Sequence, residues 1–186
     1  MSYHPAGDIN SLVKAFSRQE QVDSDKLTDV ICRRTNSQLK KLQESYAENC
    51  NADSRNGFGQ PTALITFLSA KISGLVDPGK DYVIEFVSRV LEDPYLRESP
   101  AERDESEGQD GKRAASDVKK LKKKFQPAVF VKVFLTEKGR ANLNFADIQA
   151  INEKFGDDPS LEDMIMDEFT SPFQTLCLGY IQFALG

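Results

Sequence analysis

Apolar positions along this chain recur at helical spacing in nearly every stretch that carries them. Ile9, Leu12, Val13 and Phe16 share one face at i, i+3, i+4 and i+7, with Asp8 placed to cap it. Leu27, Val30, Ile31 and Arg34 repeat the spacing, so an arginine closes an otherwise apolar face. A polar corner follows, in which Thr35 and Gln38 have capping-box spacing, and Leu39, Leu42 and Tyr46 then begin a new helix. Residues 49–60, rich in Asn, Gly and Ser, read as loop. Pro61 suits a first helical position, ahead of Leu64, Ile65, Leu68 and Ile72, with Gly74 as the stop. An Asp77-Pro78-Gly79 turn leads to Val83, Phe86, Val87, Val90 and Leu91, and Pro94 ends that helix.

Residues 97–117 interrupt the pattern. They carry no aliphatic side chain larger than Ala and many charges of both signs, too little apolar surface to offset the entropy of ordering them. The expectation here is a flexible linker. Beyond it the helical spacing returns, first as Val118, Leu121 and Phe125 among lysines. Pro127 opens a helix bearing Val129, Phe130, Val133 and Phe134, and residues 144–155 carry Ile148, Ile151 and Phe155. Ser160 and Asp163 cap a short helix with Leu161, Met164 and Ile165. Ser171, Pro172 and Gln174 combine a cap, a first-turn proline and a capping box ahead of Leu176, Cys177, Tyr180, Ile181 and Ala184. Leu178, Phe183 and Leu185 occupy the other faces of this last helix, so other helices should surround it.

The predicted fold is therefore all-α. A tail at 1–7 precedes five helices in 8–96, the linker spans 97–117, and a second set of about five helices fills 118–186. Arg34 and Leu42 match Arg140 and Ile148 at one common offset, the self-similarity that marks a repeat.

Composition narrows the class. The 186 residues suffice to bury a core, and 28% charged residues with 39% apolar ones describe a soluble, folded chain. A net charge of −5 argues against global nucleic-acid binding while leaving room for a local basic patch. The three cysteines, Cys32, Cys50 and Cys177, are odd in number and lie in or beside helical patterns. They suit small reduced core residues better than bridges. With no basic-then-apolar leader and no apolar run approaching 18 residues, the chain reads as cytoplasmic, touching membranes only from outside. The single histidine, His4, lies in the tail, which removes the commonest general base. No phosphate-binding Gly-rich motif, EF-hand loop or Cys/His metal spacing is present, so an enzyme is not expected.

Residue by residue, the corner Arg34-Thr35-Asn36 with Gln38, Leu42 and Tyr46 resembles the second and third helices of an annexin repeat. Upstream, the run from Ile9 to Ser17 is similar to that family's first helix. In the second half, Arg140 with Asp147-Ile148 resembles the same corner, and Ser160-Leu161 and the stretch from Ile165 to Phe173 resemble the last repeat's fourth helix and following turn. The resemblance covers nearly the whole chain apart from the linker, through degenerate motifs. Within the family, the short form and missing calcium loops look most like the alpha-giardins, annexin-like proteins of a protozoan cytoskeleton.

The resemblance implies two annexin-like repeats and a peripheral protein of acidic phospholipid membranes or of the cytoskeleton, with calcium weak or absent. A family calcium site takes carbonyls from a Gly-rich loop after the first helix and a bidentate carboxylate from the turn after the fourth. In the first repeat that loop has no glycine, and Lys71 stands at the carboxylate position. In the second repeat Glu168 stands where the acid would be, beside a shortened loop without glycine, although such a residue is more often a solvated helix-end acid. Asp77 and Asp81 flank Gly79 and could hold a weak ion, although turn chemistry alone accounts for them. Arg34 and Arg140 are expected to serve structure by bonding carbonyls at helix ends.

The lysines Lys119, Lys120, Lys122, Lys123 and Lys124, beside Val118, Leu121 and Phe125, form a basic amphipathic helix. It reads either as a solvated face or as a contact for anionic lipid or an acidic protein surface such as tubulin. At roughly 1 kcal/mol per lysine, five give at most about 5 kcal/mol near a charged membrane, a weak and salt-sensitive attachment. Two repeats also leave apolar faces that a homodimer or another protein would cover. The reading from a different class is a helical adaptor or scaffold that never touches lipid.

Overall fold

The computed structural model describes residues 2–50, 63–92, 111–135 and 145–186, and among these the chain forms ten helices and no strand. The first set is α1 (Pro5–Ala15), α2 (Ser24–Arg33), α3 (Asn36–Cys50), α4 (Leu64–Ser73) and α5 (Lys80–Glu92). The second is α6 (Gly111–Lys123), α7 (Pro127–Phe134), α8 (Phe145–Phe155), α9 (Leu161–Glu168) and α10 (Phe173–Leu185). Local chemistry sets several of these ends. Thr35 Oγ1 accepts from Gln38 N at 3.2 Å while Gln38 Oε1 accepts from Thr35 N at 3.0 Å, a complete capping box at the start of α3. Ser160 and Asp163 close the same reciprocal pair on α9. Pro127 opens α7 and Gly74 ends α4, as the sequence predicts.

Several boundaries differ from expectation. Helix α4 begins at Leu64 with Ala63 as its N-cap, and Pro61, expected at its first position, lies outside the described residues. Helix α1 begins at Pro5, ahead of Asp8, which caps nothing because its carboxylate is held elsewhere (below). Helix α6 begins at Gly111, so the last seven residues of the expected linker are helical, while 97–110 lie outside the described residues. Its buried face is Ala114, Asp117, Val118 and Leu121, and the small and charged members of that face hid its periodicity. The helix stops at Lys123, leaving Phe125 in the connection to α7. Finally, Pro172 is the N-cap of α10 rather than a first-turn residue. Gln174 Nε2 donates to Phe169 O at 2.7 Å and Met166 O at 3.0 Å, which ties α9 to α10 instead of forming a box.

Within each set the first helix packs on the second and third, and across the sets the second and fifth helices pair crosswise. Helix α10 lies along α2, and α5 meets α7, with α2–α5 and α5–α10 contacts completing a four-helix centre. Phe86 of α5 meets Phe173 and Tyr180 of α10 edge-on, with ring centroids 6.2 and 5.8 Å apart. Tyr180 Oη donates to Phe134 O at 3.2 Å, Cys32 Sγ to Leu176 O at 3.3 Å, and Arg89 Nη1 to Leu135 O at 3.2 Å. Helix α10 is buried on most of its circumference, as expected of a helix apolar on several faces. One core, rather than two, therefore joins the sets.

Candidate functional site

The basic face is a consequence of how α6 seats itself. Ala114, Asp117, Val118 and Leu121 turn inward against α7 and α8, which leaves Lys119, Lys120, Lys122, Lys123 and Lys124 exposed on the other side. Lysines in the last turn also complement the negative end of the helix dipole. Among the described residues, two of the five have side-chain partners. Lys120 Nζ lies 4.0 Å from the buried Asp117 Oδ1, and Lys122 Nζ sits 5.1 Å above the Phe155 ring. Half-buried Phe125 stacks on Phe169 at 5.1 Å and 20°, so the tip of the lysine run rests on an aromatic cluster.

The calcium candidates are scattered. Glu168 is the exposed last residue of α9. Asp77 Oδ1 accepts from Gly79 N at 2.7 Å, which is the turn chemistry that places it before α5. Asp81 is exposed in the first turn of α5, and Lys80 Nζ beside it donates to Ser73 O at 3.0 Å. Lys71, at the position where the resemblance puts a carboxylate, extends its ammonium 5.9 Å from the Phe67 ring. The loop between α1 and α2 is tied to the connection between α4 and α5, since the carbonyl of Glu20, at φ 66°, accepts from Val76 N at 3.3 Å. Among the described residues no group of three or more His, Cys, Asp or Glu side chains could hold a metal. At the position where the resemblance puts a carboxylate, the Lys71 ammonium supplies no oxygen ligand for a calcium ion.

Arg34 reaches a carboxylate that the sequence reading missed. Its Nε and Nη2 donate to Asp8 Oδ2 and Oδ1 at 2.7 and 2.9 Å, a bidentate pair, and Asp29 lies 3.6 Å away. Tyr3 Oη donates to the same Asp8 oxygen at 2.5 Å, which pins the residues before α1 onto the corner. Burial pushes the Asp8 carboxyl up, but the Arg34 and Tyr3 hydrogen bonds and the Arg34 charge outweigh it and hold the group below its usual range. Burial and the bond to Asp8 push the Tyr3 hydroxyl up, and the Asp8 hydrogen bond raises Arg34. Arg140 lies outside the described residues.

A cleft of about 510 Å³ opens between α1, α2 and α10, lined by Asp25, Lys26, Asp29, Arg33, Thr175 and Gln182 among others. Beneath it Gly179 of α10 faces Thr28 of α2 so closely that a Cβ built on the glycine would stand 2.4 Å from Thr28 Cγ2. A glycine inside an apolar helix was the available signal for this close crossing, but its partner is visible only once the helices are assembled.

No known family profile matches the sequence, and no curated protein matches it either. Solved structures do match. The fold is similar to a mutant of annexin A8 with an intact N-terminus, with a TM-score of 0.66 and 14% identity over 99% of this chain and 51% of that one. It is similar to annexin III, with a TM-score of 0.64 and 16% identity over 99% and 50% of the two chains. A calcium-bound annexin (Sm)1 matches with a TM-score of 0.66 and 15% identity over 97% and 48%. The chain thus has an annexin-like, all-α fold and spans about half the length of each of these proteins.

Proposed function

We propose that this is a non-catalytic peripheral protein that attaches to acidic phospholipid surfaces through the α6 lysines, with calcium unnecessary for attachment. The observation that carries the reading is the exposed lysine run from Lys119 to Lys124 set beside half-buried Phe125. Charge attraction draws such a face to an anionic surface, and an aromatic ring at its edge suits the interface. Discounting Lys120 for its Asp117 partner, four lysines supply at most about 4 kcal/mol, enough for reversible attachment only. The annexin-like fold supports a membrane-associated role, and the Lys71 ammonium supports independence from calcium. Among the described residues no helix is long and apolar enough to cross a membrane.

Co-sedimentation with anionic liposomes and, in parallel, with microtubules tests the reading, each with calcium and with chelator. Pelleting with liposomes in chelator supports it. Pelleting with liposomes only when calcium is present, and loss of that component in Glu168→Gln, would make Glu168 a ligand and the lysines secondary. Pelleting with microtubules alone would replace the lipid by a cytoskeletal scaffold role on the same basic face.

A further inference from the structure

Two oppositely charged faces adjoin in the second repeat. One is the end of α6, where Lys119, Lys123 and Lys124 are exposed. The other is α9 with the turn before it, where Asp157, Asp158, Asp167 and Glu168 are exposed. Among the described residues no ion pair joins one face to the other, and these seven side chains have no charged partner elsewhere. Asp167 and Glu168 sit in the last turn of α9, which has no basic residue there. The helix dipole is negative at that end, so the two carboxylates are locally unfavourable and call for positive charge from outside the helix. The faces share an edge, because Phe125, just past α6, stacks on Phe169, just past α9, at 5.1 Å. Each also carries an apolar element, Met166 at 55% exposure on α9 and half-buried Phe125 beside the lysines.

We propose that this edge is a self-complementary interface through which two copies of the chain pair, the α6 lysines of each lying against the α9 carboxylates of the other, so that pairing and attachment to an anionic surface are alternative, competing uses of the same lysines. A two-fold arrangement needs both members of a contact on one patch, so that each copy offers what the other lacks. Adjacent basic and acidic faces meet that requirement. Met166 and Phe125 provide the apolar centre, and the charges form a rim that fixes register and excludes like-charged arrangements.

Sedimentation equilibrium of the full chain in chelator, at micromolar concentration, tests the pairing. The wild-type chain should dimerise at 0.1 M salt. Its dissociation constant should rise at least about tenfold by 1 M, as the Debye length falls from about 10 to about 3 Å. One triple variant, Lys119→Glu, Lys123→Glu and Lys124→Glu, and another, Asp158→Lys, Asp167→Lys and Glu168→Lys, should each be monomeric with a wild-type helical spectrum. Mixed together they should dimerise again, since each reversed residue then faces reversed residues of opposite charge, and the two native faces still oppose each other. If a reversed variant does not fold, neutral versions (Lys→Gln, or Asp→Asn with Glu→Gln) should weaken pairing at least about tenfold. A wild-type chain that stays monomeric would overturn the proposal. So would a dimer indifferent to salt and to charge reversal, or folded reversed variants that do not pair when mixed.

Discussion

Replacing Gly179 by Ala tests the crossing that joins the two repeats. The added methyl would stand 2.4 Å from Thr28 Cγ2, more than about 1 Å inside the ~3.5 Å contact distance of two carbons. Thr28 is 4% exposed and branched at Cβ, so it has little freedom to turn away. Overpacking of this kind costs about 1–3 kcal/mol, against which Ala gains up to about 1 kcal/mol over Gly in a helix. The net expectation is a loss of roughly 1–2 kcal/mol. Gly7, in α1 with open space around its Cβ position, provides the control, and Gly7→Ala should be neutral or stabilising by up to about 1 kcal/mol. Urea unfolding with an unchanged slope gives the comparison directly. The double variant Thr28→Ser with Gly179→Ala removes the clashing methyl and should recover most of the loss relative to Thr28→Ser alone. If Gly179→Ala is as stable as the wild type, or if Thr28→Ser brings no relief, the α2–α10 crossing is not as close as described.

Two further outcomes follow from buried groups. Asp8→Asn leaves the Arg34 guanidinium without its bidentate partner and should cost about 2–3 kcal/mol in the same assay. Because the Asp8 carboxyl is held below its usual value in the folded chain, its contribution is complete above about pH 4 and fades as pH falls through the depressed value. The gap between wild type and Asp8→Asn should therefore narrow in acid, and a gap that widens there would contradict the pairing. Cys32 and Cys177 are buried, and burial, with Cys32 as neighbour, pushes the Cys177 thiol up. Peptide mapping after a native thiol-reagent pulse should find both unlabelled until denaturant is added, and rapid native labelling of Cys177 would refute its burial.

What the sequence made legible was local. The capping boxes Thr35–Gln38 and Ser160–Asp163 are each settled within one turn, and both form as their spacing predicts. The apolar faces of α2, α5 and α7 were equally plain, because large aliphatic and aromatic side chains mark them. Asp8 was misassigned because a carboxylate near a helix start resembles a cap, whereas its partner Arg34 lies on another helix corner. The first turns of α6 were missed because Ala114 and Asp117 carry little hydrophobic signal, and their burial depends on α7 and α8 packing over them. The exposed lysines were legible as an amphipathic pattern. Among the described residues no group of three or more His, Cys, Asp or Glu side chains gathers around Glu168, a grouping that depends on residues far apart in the sequence.

The claim that α6 holds the chain on an anionic surface by charge alone is tested most directly by vesicle flotation in chelator. The wild-type chain is compared with one carrying Lys119→Gln, Lys120→Gln, Lys122→Gln, Lys123→Gln and Lys124→Gln. The wild-type chain should bind acidic vesicles at 0.1 M salt and release at 1 M, where the Debye length is only about 3 Å. The substituted chain, with its helical spectrum unchanged, should lose up to about 4 kcal/mol of attraction, a drop in affinity of as much as roughly 10³. Binding that survives both the salt and the substitutions would contradict the account.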